Sequence, residues 1–513
     1  MRVVVDSIRM READRLTIEM LNSNGIILME HAGTACVREL EKEFGRRLIE
    51  KKVLCIAGKG NNGGDAIVVA RQLKSKGVNV KLILLAKPDD YKGDARFQLE
   101  IIRNYPVEIE VIDKDRSDGL EVFRKNLSES DIVVDGIFGT GLSKPVEGFY
   151  RKIIDAINND FNGFVLSVDI PSGLFADKST DIYSHIKANL TVTFGKIKPC
   201  HVLYPASKSC GRVVEDWITI PDFVFEKVGE YFYLIGKDDI KPLKKDFPPD
   251  SHKGTFGHAG IISGEKGKLG ASILASFAAL KSGCGLSTVY IEESDYPFVS
   301  SFYPEVMFYL AKVKNSDDFL TEFLNTKSAV LIGQGLGVGE YQKSLVKKVI
   351  KLFDKPIVFD ADVFKNFTVD EFAEYTKGKE IVLTPHPGEM SSFTGYSTKE
   401  IQENRIEVAK EVSLKTGAVV VLKGYQTVIA NREKVFVNTT GTSALGTAGS
   451  GDVLGGIITS LICQGYSLIN AVLLGVISHG LAGEIAENAE GREGVTAGSL
   501  IDKISKALNY GIE

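Results

Sequence analysis

A chain of 513 residues is longer than one compact core supports and fits two domains of ordinary size. With 44% hydrophobic and 25% charged residues it has the composition of a soluble globular protein, and no run approaches the roughly 18 uninterrupted apolar residues of a membrane span. A net charge of -5 without a basic cluster leaves nucleic acid no footing.

The start, MRVVVDSIRMREADR, places charges where an export signal needs a longer apolar core. Cys36, Cys55, Cys200, Cys210, Cys284 and Cys463 are scattered and form no C-x-x-C pair. That argues against a zinc site and a disulfide framework and fits a reducing cytoplasm.

The first 30 residues read as a helix or two packed outside a sheet. Six apolar runs follow, at 51–58, 78–86, 107–112, 131–139, 163–173 and 189–195, with charged periodic segments between them. Such strands, separated by helices, predict a parallel sheet covered on both faces. The proline- and lysine-rich stretch 240–257 breaks the pattern and reads as a linker with the entry to a second domain. The alternation then resumes with runs at 259–264, 285–292, 328–337, 355–362, 379–389 and 418–424. The expected organisation is two α/β domains, 1–232 and 233–513, each holding its ligand at the carboxyl ends of its strands.

In the first half, AGKGNNGGDAIVV is strand, glycine-rich turn and helix, with the helix expected to begin near Gly64. Backbone amides in such a turn can approach a phosphate, although a tight turn that merely needs glycine explains it equally well. The intruding asparagines and aspartate separate it from the dinucleotide-binding fingerprint. Two further strand ends carry Asp135 with the turn Gly139-Thr140-Gly141, and Asp169 with Ser172. Converging glycine turns, two carboxylates, an asparagine and a hydroxyl make a site for a phosphate-bearing ligand beside a cation.

LMEHAG (28–33), GNNGGD (60–65), VVDGIFGTGL (133–142) and SVDIPSG (167–173), in this order, resemble the NAD(P)H-hydrate epimerase domain over essentially residues 1–220. The resemblance implies a Rossmann-like three-layer sandwich. It implies that Asn61, Asn62, Gly63, Gly64 and Asp65, with Gly139, Thr140, Gly141, Leu142, Ser143, Lys144 and Pro145, line the substrate. Asp169 would contact the reacting end as general acid or base, and Asn62, Asp135 and Ser172 would bind a potassium ion through oxygen. His31 departs from the asparagine or arginine frequent in relatives, and is expected to tune packing.

In the second half, GTSALGTAGSGDVLGGIITSLICQG (441–465) runs a glycine loop straight into an apolar helix. Amides at such a helix start can hold a transferring phosphoryl group, and Asp452 would then serve as base toward a substrate hydroxyl. Alone, Asp452 could equally be a first-turn residue facing the helix dipole. With HKGTFG (252–257), the apolar helix from Gly270, GQGLG (333–337), TPHPGE (384–389) and LKGYQTVI (422–429), the set resembles the ADP/ATP-dependent NAD(P)H-hydrate dehydratase of the ribokinase-like superfamily, over about residues 235–513.

That resemblance implies a ribokinase-like three-layer domain. Ala271, Gly335 and the stretch His386, Pro387, Gly388, Glu389, Met390, Ser391 and Ser392 would meet the hydrated cofactor, with Asp452 as catalytic base. Lys423, Gly424, Tyr425, Gln426 and Thr427, with Thr442, Ser443, Ala444, Leu445, Gly446, Thr447, Ala448, Gly449, Ser450 and Gly451, would hold ADP or ATP with Mg2+. Gly441-Thr442-Ser443-Ala444 lacks the asparagine usual in this loop, which bears on nucleotide affinity. His386 by itself could bond only backbone, His479 reads as a packing residue, and Tyr425 could stack on adenine or be buried.

Together the resemblances imply repair of hydrated NADH and NADPH by a homo-oligomer whose partners are small molecules. The first half would interconvert R and S hydrates, and the second would phosphorylate the S hydrate and eliminate phosphate. Two rivals are a vitamin-precursor kinase with a regulatory first half, and a first half that only senses ligand or acts as a scaffold. HKG, TPHPGE and the fused GNNGGD domain together argue against the kinase, and Asn62, Asp135, Asp169 and Ser172 argue against the scaffold.

Overall fold

The computed structural model describes residues 1–432 and 434–511. The chain forms two compact bodies, one of Val3–Tyr231 and one of Met1–Arg2 with the chain from Phe232 onward.

In the first body seven strands form a wholly parallel sheet. Its order is Glu108–Val111, Asn79–Leu84, Lys52–Ala57, Ile132–Gly136, Phe164–Val168, Leu190–Phe194 and Arg212–Asp216. The sequence pattern predicts the first six; Arg212–Asp216 is a half-buried edge strand rich in charge and escapes it. Its helices bury apolar stripes at helical spacing, as in Ile153, Ile154, Ala156 and Ile157 of Gly148–Asp160. Ile26–Phe44, Asn61–Ser75 and Gly93–Ile102 contribute to one core, and Gly119–Ser128 and Gly148–Asp160 to the other.

The chain order reverses between Lys52–Ala57 and Ile132–Gly136, the crevice at which such sheets bind ligands. The helix Ser7–Met20 is fixed at the carboxyl end of this sheet. Asp6 caps it by accepting from Arg9 N at 2.8 Å. Asp177, beyond the Phe164–Val168 strand, accepts from Ser7 N and Ser7 Oγ at 2.6 Å each. Met10 packs on Gly195, which follows Leu190–Phe194 at φ +69°; a Cβ there would lie 2.6 Å from the Met10 methyl.

The second body holds one large sheet, whose strands from Phe232 onward run in the order Phe232–Ile235, Lys434–Asn438, Val428–Asn431, Val419–Leu422, Ile381–Leu383, Ile357–Phe359, Ala329–Ile332, His258–Ile262, Leu286–Glu292 and Met307–Ala311. Within it Val428–Asn431 pairs antiparallel with both its neighbours. The connections on either side of it are too short for the crossover that parallel strands require. The order reverses between His258–Ile262 and Ala329–Ile332. Gly264 N donates to Gln334 O and Glu265 N to Gly335 O, both at 2.8 Å, lacing together the loops that leave these strands.

Gly270–Lys281, Ser450–Cys463, Leu468–Glu490 and Ala497–Leu508 pack in one core of this body. Leu468–Glu490 has the length and apolar composition to cross a membrane, but residues such as Leu474, Ile477 and Ala482 are 0% exposed in that core. The expected linker is also corrected. Ile240 is 0% exposed, Lys245 N donates to Tyr466 Oη at 3.0 Å, and the Phe247 and Phe256 rings lie 5.0 Å apart. Its lysines face outward while its apolar residues anchor it, and the boundary between bodies falls earlier, at Tyr231–Phe232. All six cysteines are buried.

Each body has its own sheet and core, so each is expected to fold alone. Residues 3–231 and 232–513, expressed separately, should each give a cooperative melting transition; a fragment that melts gradually would refute this.

Candidate functional site

In the first body the glycine turn leads into Asn61–Ser75, whose N-cap Gly60 makes no side-chain cap, leaving the first-turn amides to a ligand. This helix starts three residues before the expected Gly64. Gly63 is obligatory, since a Cβ there would sit 1.7 Å from Gly58 O. Asn62 Nδ2 donates to Phe138 O at 2.9 Å and Val168 O at 3.0 Å, tying three strand ends together.

Asp135 is 0% exposed and accepts from Ser172 Oγ at 2.5 Å, Ser172 N at 2.9 Å, Ser167 Oγ at 2.8 Å and Ile137 N at 3.3 Å. Burial pushes its pKa up, and these donors oppose the rise. Asn62, Asp135 and Ser172, expected together, are thus brought together. Leu142 is half-buried, while Ser143, Lys144 and Pro145 lie exposed on the loop after Gly141.

Asp169 adopts φ +61°, unusual for a non-glycine residue and a mark of a constrained site. Its carboxylate accepts from Lys198 Nζ at 2.8 Å and Thr193 Oγ1 at 2.9 Å. Lys198 is 1% exposed, and its ammonium also donates to Thr193 Oγ1 at 2.9 Å and Phe194 O at 2.8 Å. Burial would raise the Asp169 pKa, but the Lys198 charge outweighs it and holds the carboxyl below its usual value. Lys198 N donates to His201 Nδ1 at 3.0 Å, so the ring proton sits on Nε2 and is given to Asp169 O at 2.8 Å. Sequence reading missed Lys198, Thr193 and His201. The signal was the short KxKPCH segment just past a strand end.

In the second body Ser450–Cys463 starts after Gly449 at φ +86°, again without a side-chain cap. A Cβ on Gly451 would lie 3.4 Å from Lys423 Nζ and 4.0 Å from Asp360 Oδ2, so the helix start opens onto these charges. Lys423 Nζ donates to Asp360 Oδ1 at 2.7 Å and pairs with Glu389 Oε2 at 3.6 Å. Asp360 also accepts from Thr384 Oγ1 at 2.8 Å and Gln334 Nε2 at 3.3 Å. Asp452, in the first helical turn, is pushed up to about 7, first by burial and then by Asp360 and Glu389, with Lys423 pulling the other way. Asp360, Thr384 and Gln334 were missed, since nothing in FDAD marks the first aspartate as facing a lysine 63 residues later.

Several of the expected residues have their side chains engaged within the protein. Met390 is 0% exposed, on the inner face of its helix with Phe393, so its side chain faces core and no ligand. Ser391 Oγ donates to Tyr396 O at 2.6 Å and Ser392 Oγ to Gly388 O at 3.2 Å, which turns both hydroxyls to backbone. Leu445 packs into the core, where a Cβ on Gly483 would meet it at 2.7 Å. His386 Nδ1 accepts from Gly388 N at 3.0 Å, capping its own helix, with the ring half-exposed. Thr442 Oγ1 accepts from Ala444 N at 3.2 Å, capping the turn that lacks the usual asparagine.

Tyr425 is 61% exposed, and Arg405 braces its loop by donating to Tyr425 O at 2.6 Å and Leu422 O at 3.1 Å. His479 is a packing residue as expected. It is buried, hydrogen-bonds Ser450 O at 3.0 Å, and is held down to about 4 by burial. His31 is exposed. Ala271 lies in the first turn of its helix, and Gly335, at φ +57°, in the loop laced to Glu265. Beside that loop opens a cleft of about 400 Å³ lined by Gly264, Glu265, Lys314, Leu336 and Tyr341 among others.

The two bodies match two family patterns, YjeF-related protein N-terminus over residues 25–200 and NAD(P)H-hydrate dehydratase over residues 259–506. The chain is 36% identical over 505 residues to the bifunctional NAD(P)H-hydrate repair enzyme Nnr of Thermofilum pendens, covering 96% of this chain and 94% of that one. It belongs to that family. The Nnr of Moorella thermoacetica is 35% identical over 98% of this chain and 96% of its own. The ADP/ATP-dependent NAD(P)H-hydrate dehydratase of Bacillus subtilis is 30% identical, covering 54% of this chain and 98% of that one, at a TM-score of 0.49. An NAD(P)H-hydrate repair enzyme needs neither the vitamin-precursor kinase nor the scaffold reading.

Removing Lys198 leaves Asp169 as a buried charge without its partner. Lys198→Met is therefore expected to destabilise the first body by about 3 kcal/mol at neutral pH. In the wild type the lowered Asp169 pKa stabilises above the unfolded carboxyl value and loses that contribution in acid. The gap to the variant should accordingly narrow as pH falls toward 4. Melting curves at several pH values check this, and a gap independent of pH would contradict it.

Proposed function

We propose that Val3–Tyr231 interconverts the R and S hydrates of NADH and NADPH, and that the body from Phe232 onward dehydrates the S hydrate at the expense of ADP or ATP. The observation that carries the second assignment is Asp452, poised near neutrality beside Lys423 at the open start of the Gly449–Gly451 helix. A carboxyl with a pKa of about 7 can take the hydrate hydroxyl proton at physiological pH. The freed oxygen attacks the terminal phosphorus of the nucleotide, the bridging P–O bond breaks with its electron pair leaving on AMP (from ADP) or ADP (from ATP), and the first-turn amides take up the charge that develops. Phosphate then leaves with its C–O bonding pair, and loss of a proton from the neighbouring ring carbon restores the double bond. Lys423 and the loop Thr442–Gly451 hold the nucleotide, and the cleft beside Gly335 takes the remote part of the dinucleotide.

Asp360, whose Oδ2 lies 4.0 Å from a Cβ built on Gly451, is a carboxylate that suits Mg2+ carried on phosphate oxygens. Bound there, Mg2+ would neutralise phosphate charge. In the first body Asn62, Asp135, Ser172, Phe138 O and Val168 O supply only oxygens once the Asn62 amide turns its Oδ1 inward, a set that fits K+. Such an ion would tie together the strand ends that the Asn62 amide now bridges.

Asp452→Asn is expected to slow dehydration of pure S hydrate by about 100-fold or more and to leave epimerisation intact. More than a tenth of wild-type turnover would refute the role. Since Asp452 acts deprotonated, wild-type kcat should rise as pH increases through about 7. Asp360→Asn, which removes a neighbouring negative charge, should move that rise to lower pH; a shift upward would contradict the arrangement. Asp135→Ala, which strands four buried donors, should destabilise the first body by about 3 kcal/mol and abolish any K+ dependence of epimerisation. Epimerisation with undiminished K+ response in that variant would sink the ion site.

A further inference from the structure

The strands Val419–Leu422 and Val428–Asn431 are joined by the turn of residues 423–427, which carries Lys423. One helix, Arg405–Thr416, holds this hairpin at both ends. At the base, Ser413 Oγ donates to Ala418 O at 2.6 Å and accepts from Arg432 N at 2.7 Å. From Ser413 back to Arg405 the helix spans about 12 Å, close to the roughly 13 Å that four strand residues cover. Arg405 therefore stands level with the turn.

The Arg405 guanidinium gathers the carbonyls of that turn. Nη1 donates to Tyr425 O at 2.6 Å, and Nη2 to Leu422 O at 3.1 Å and Lys423 O at 3.4 Å. Thr427 Oγ1 donates to the carbonyl between them, Gly424 O, at 3.0 Å. In a trans peptide the following N–H points opposite to the carbonyl. The amides of Gly424 and Gln426 are accordingly turned to the face away from Arg405, whereas Lys423 N is spent on Pro385 O at 2.8 Å. Gln426 is held at φ +55° and Gly424 at φ +141°, and a Cβ on Gly424 would lie 3.0 Å from Arg405 Nη2. A non-glycine residue in the left-handed region marks a turn kept in shape by its surroundings.

The same guanidinium is a charge that no carboxylate neutralises among the described residues. Its Nε is buried without a partner, and its other bonds go to backbone oxygens. Arginine stays protonated at physiological pH, and a charge taken out of water without a counter-ion is costly. Here its counter-charge is the negative ends of the turn's peptide dipoles, whose positive ends face the other way. An anion on that face would meet N–H groups backed by a full positive charge, a better acceptor site than an unbraced turn. Lys423, from the same turn, places its ammonium 2.7 Å from Asp360 Oδ1, so the brace also joins the turn to the carboxylates at Gly451.

We propose that Arg405 is a positioning residue for the nucleotide: it turns the amides of residues 423–427 toward the phosphates of ADP or ATP and backs them with its charge, without touching the ligand. This rests on the proposed role of that turn in holding the nucleotide.

The full-length protein, saturated with S hydrate, gives the test. Arg405→Met is expected to raise the KM for ADP and for ATP at least about tenfold, while the KM for S hydrate moves less than about twofold. Competitive inhibition by adenosine, which carries no phosphate, should be equal in variant and wild type. Arg405→Lys keeps a charge, but one ammonium cannot reach three carbonyls, so its nucleotide KM should stay at least about threefold above wild type. The proposal is overturned if Arg405→Met loses kcat with its nucleotide KM unchanged, if adenosine inhibition weakens as much as ADP use, or if Arg405→Lys shows the wild-type KM. Should Arg405→Met fail to fold, the nucleotide KM of Arg405→Lys decides alone. A folded variant whose KM rises for S hydrate and not for nucleotide would refute the nucleotide role of the turn, and the proposal with it. Wild-type dehydration that needs no nucleotide would do the same.

Discussion

Each site is organised by one ammonium set among more carboxyls than it can neutralise. Lys198 faces Asp169, with Asp65 nearby; Lys423 faces Asp360 and Glu389, with Asp452 nearby. Close carboxyls in a buried crevice raise one another's pKa, and a lysine opposes that rise. Lys198 holds the Asp169 carboxyl below its usual value, while burial and neighbouring charge push Asp65 and Asp452 up. Two nearby histidines act as braces: His479 for Ser450, and His201 for the Asp169 backbone.

The sheets explain why both clusters can exist. Parallel strands bring the residues after their carboxyl ends to one edge, and the reversal of order parts the loops there into a crevice. Asp135 lies at the end of one strand, and Asp169 and Lys198 follow the next two in the same body. Gln334, Asp360, Thr384 and Lys423 follow four in the other. A helix start with no side-chain cap faces each group, at Asn61 and at Ser450. A positive lysine and a positive helix end converge on one place, which suits substrates that carry phosphate.

What the sequence could reveal follows from that geometry. GNNGGD and GSGD were legible because glycine loops that enter helices are local, and their steric need is written in consecutive residues. Most strands were legible because burial on both faces makes continuous apolar runs. The partners Lys198 and Asp360 were not, because each matters through a contact made across elements, and no local pattern distinguishes such a lysine or aspartate from a surface one. The segment 240–257 misled for a related reason. Its composition is that of a linker, but Ile240, Phe247 and Phe256 anchor it. The hairpin after Leu422 was hidden by its short connection, which the KGYQT segment made look like a binding loop alone.

Every thiol in the chain lies under its own core, four in the first body and two in the second. An alkylating reagent in solution therefore has nothing to attack until a body opens, and burial raises most of these thiols further from the reactive thiolate form. Cys36 and Cys55 sit beneath the glycine turn and the central strand, whereas Cys463 ends the helix that begins at Ser450. The rate at which each becomes labelled would report the opening of its own body, so the natural cysteines act as two built-in clocks for local unfolding.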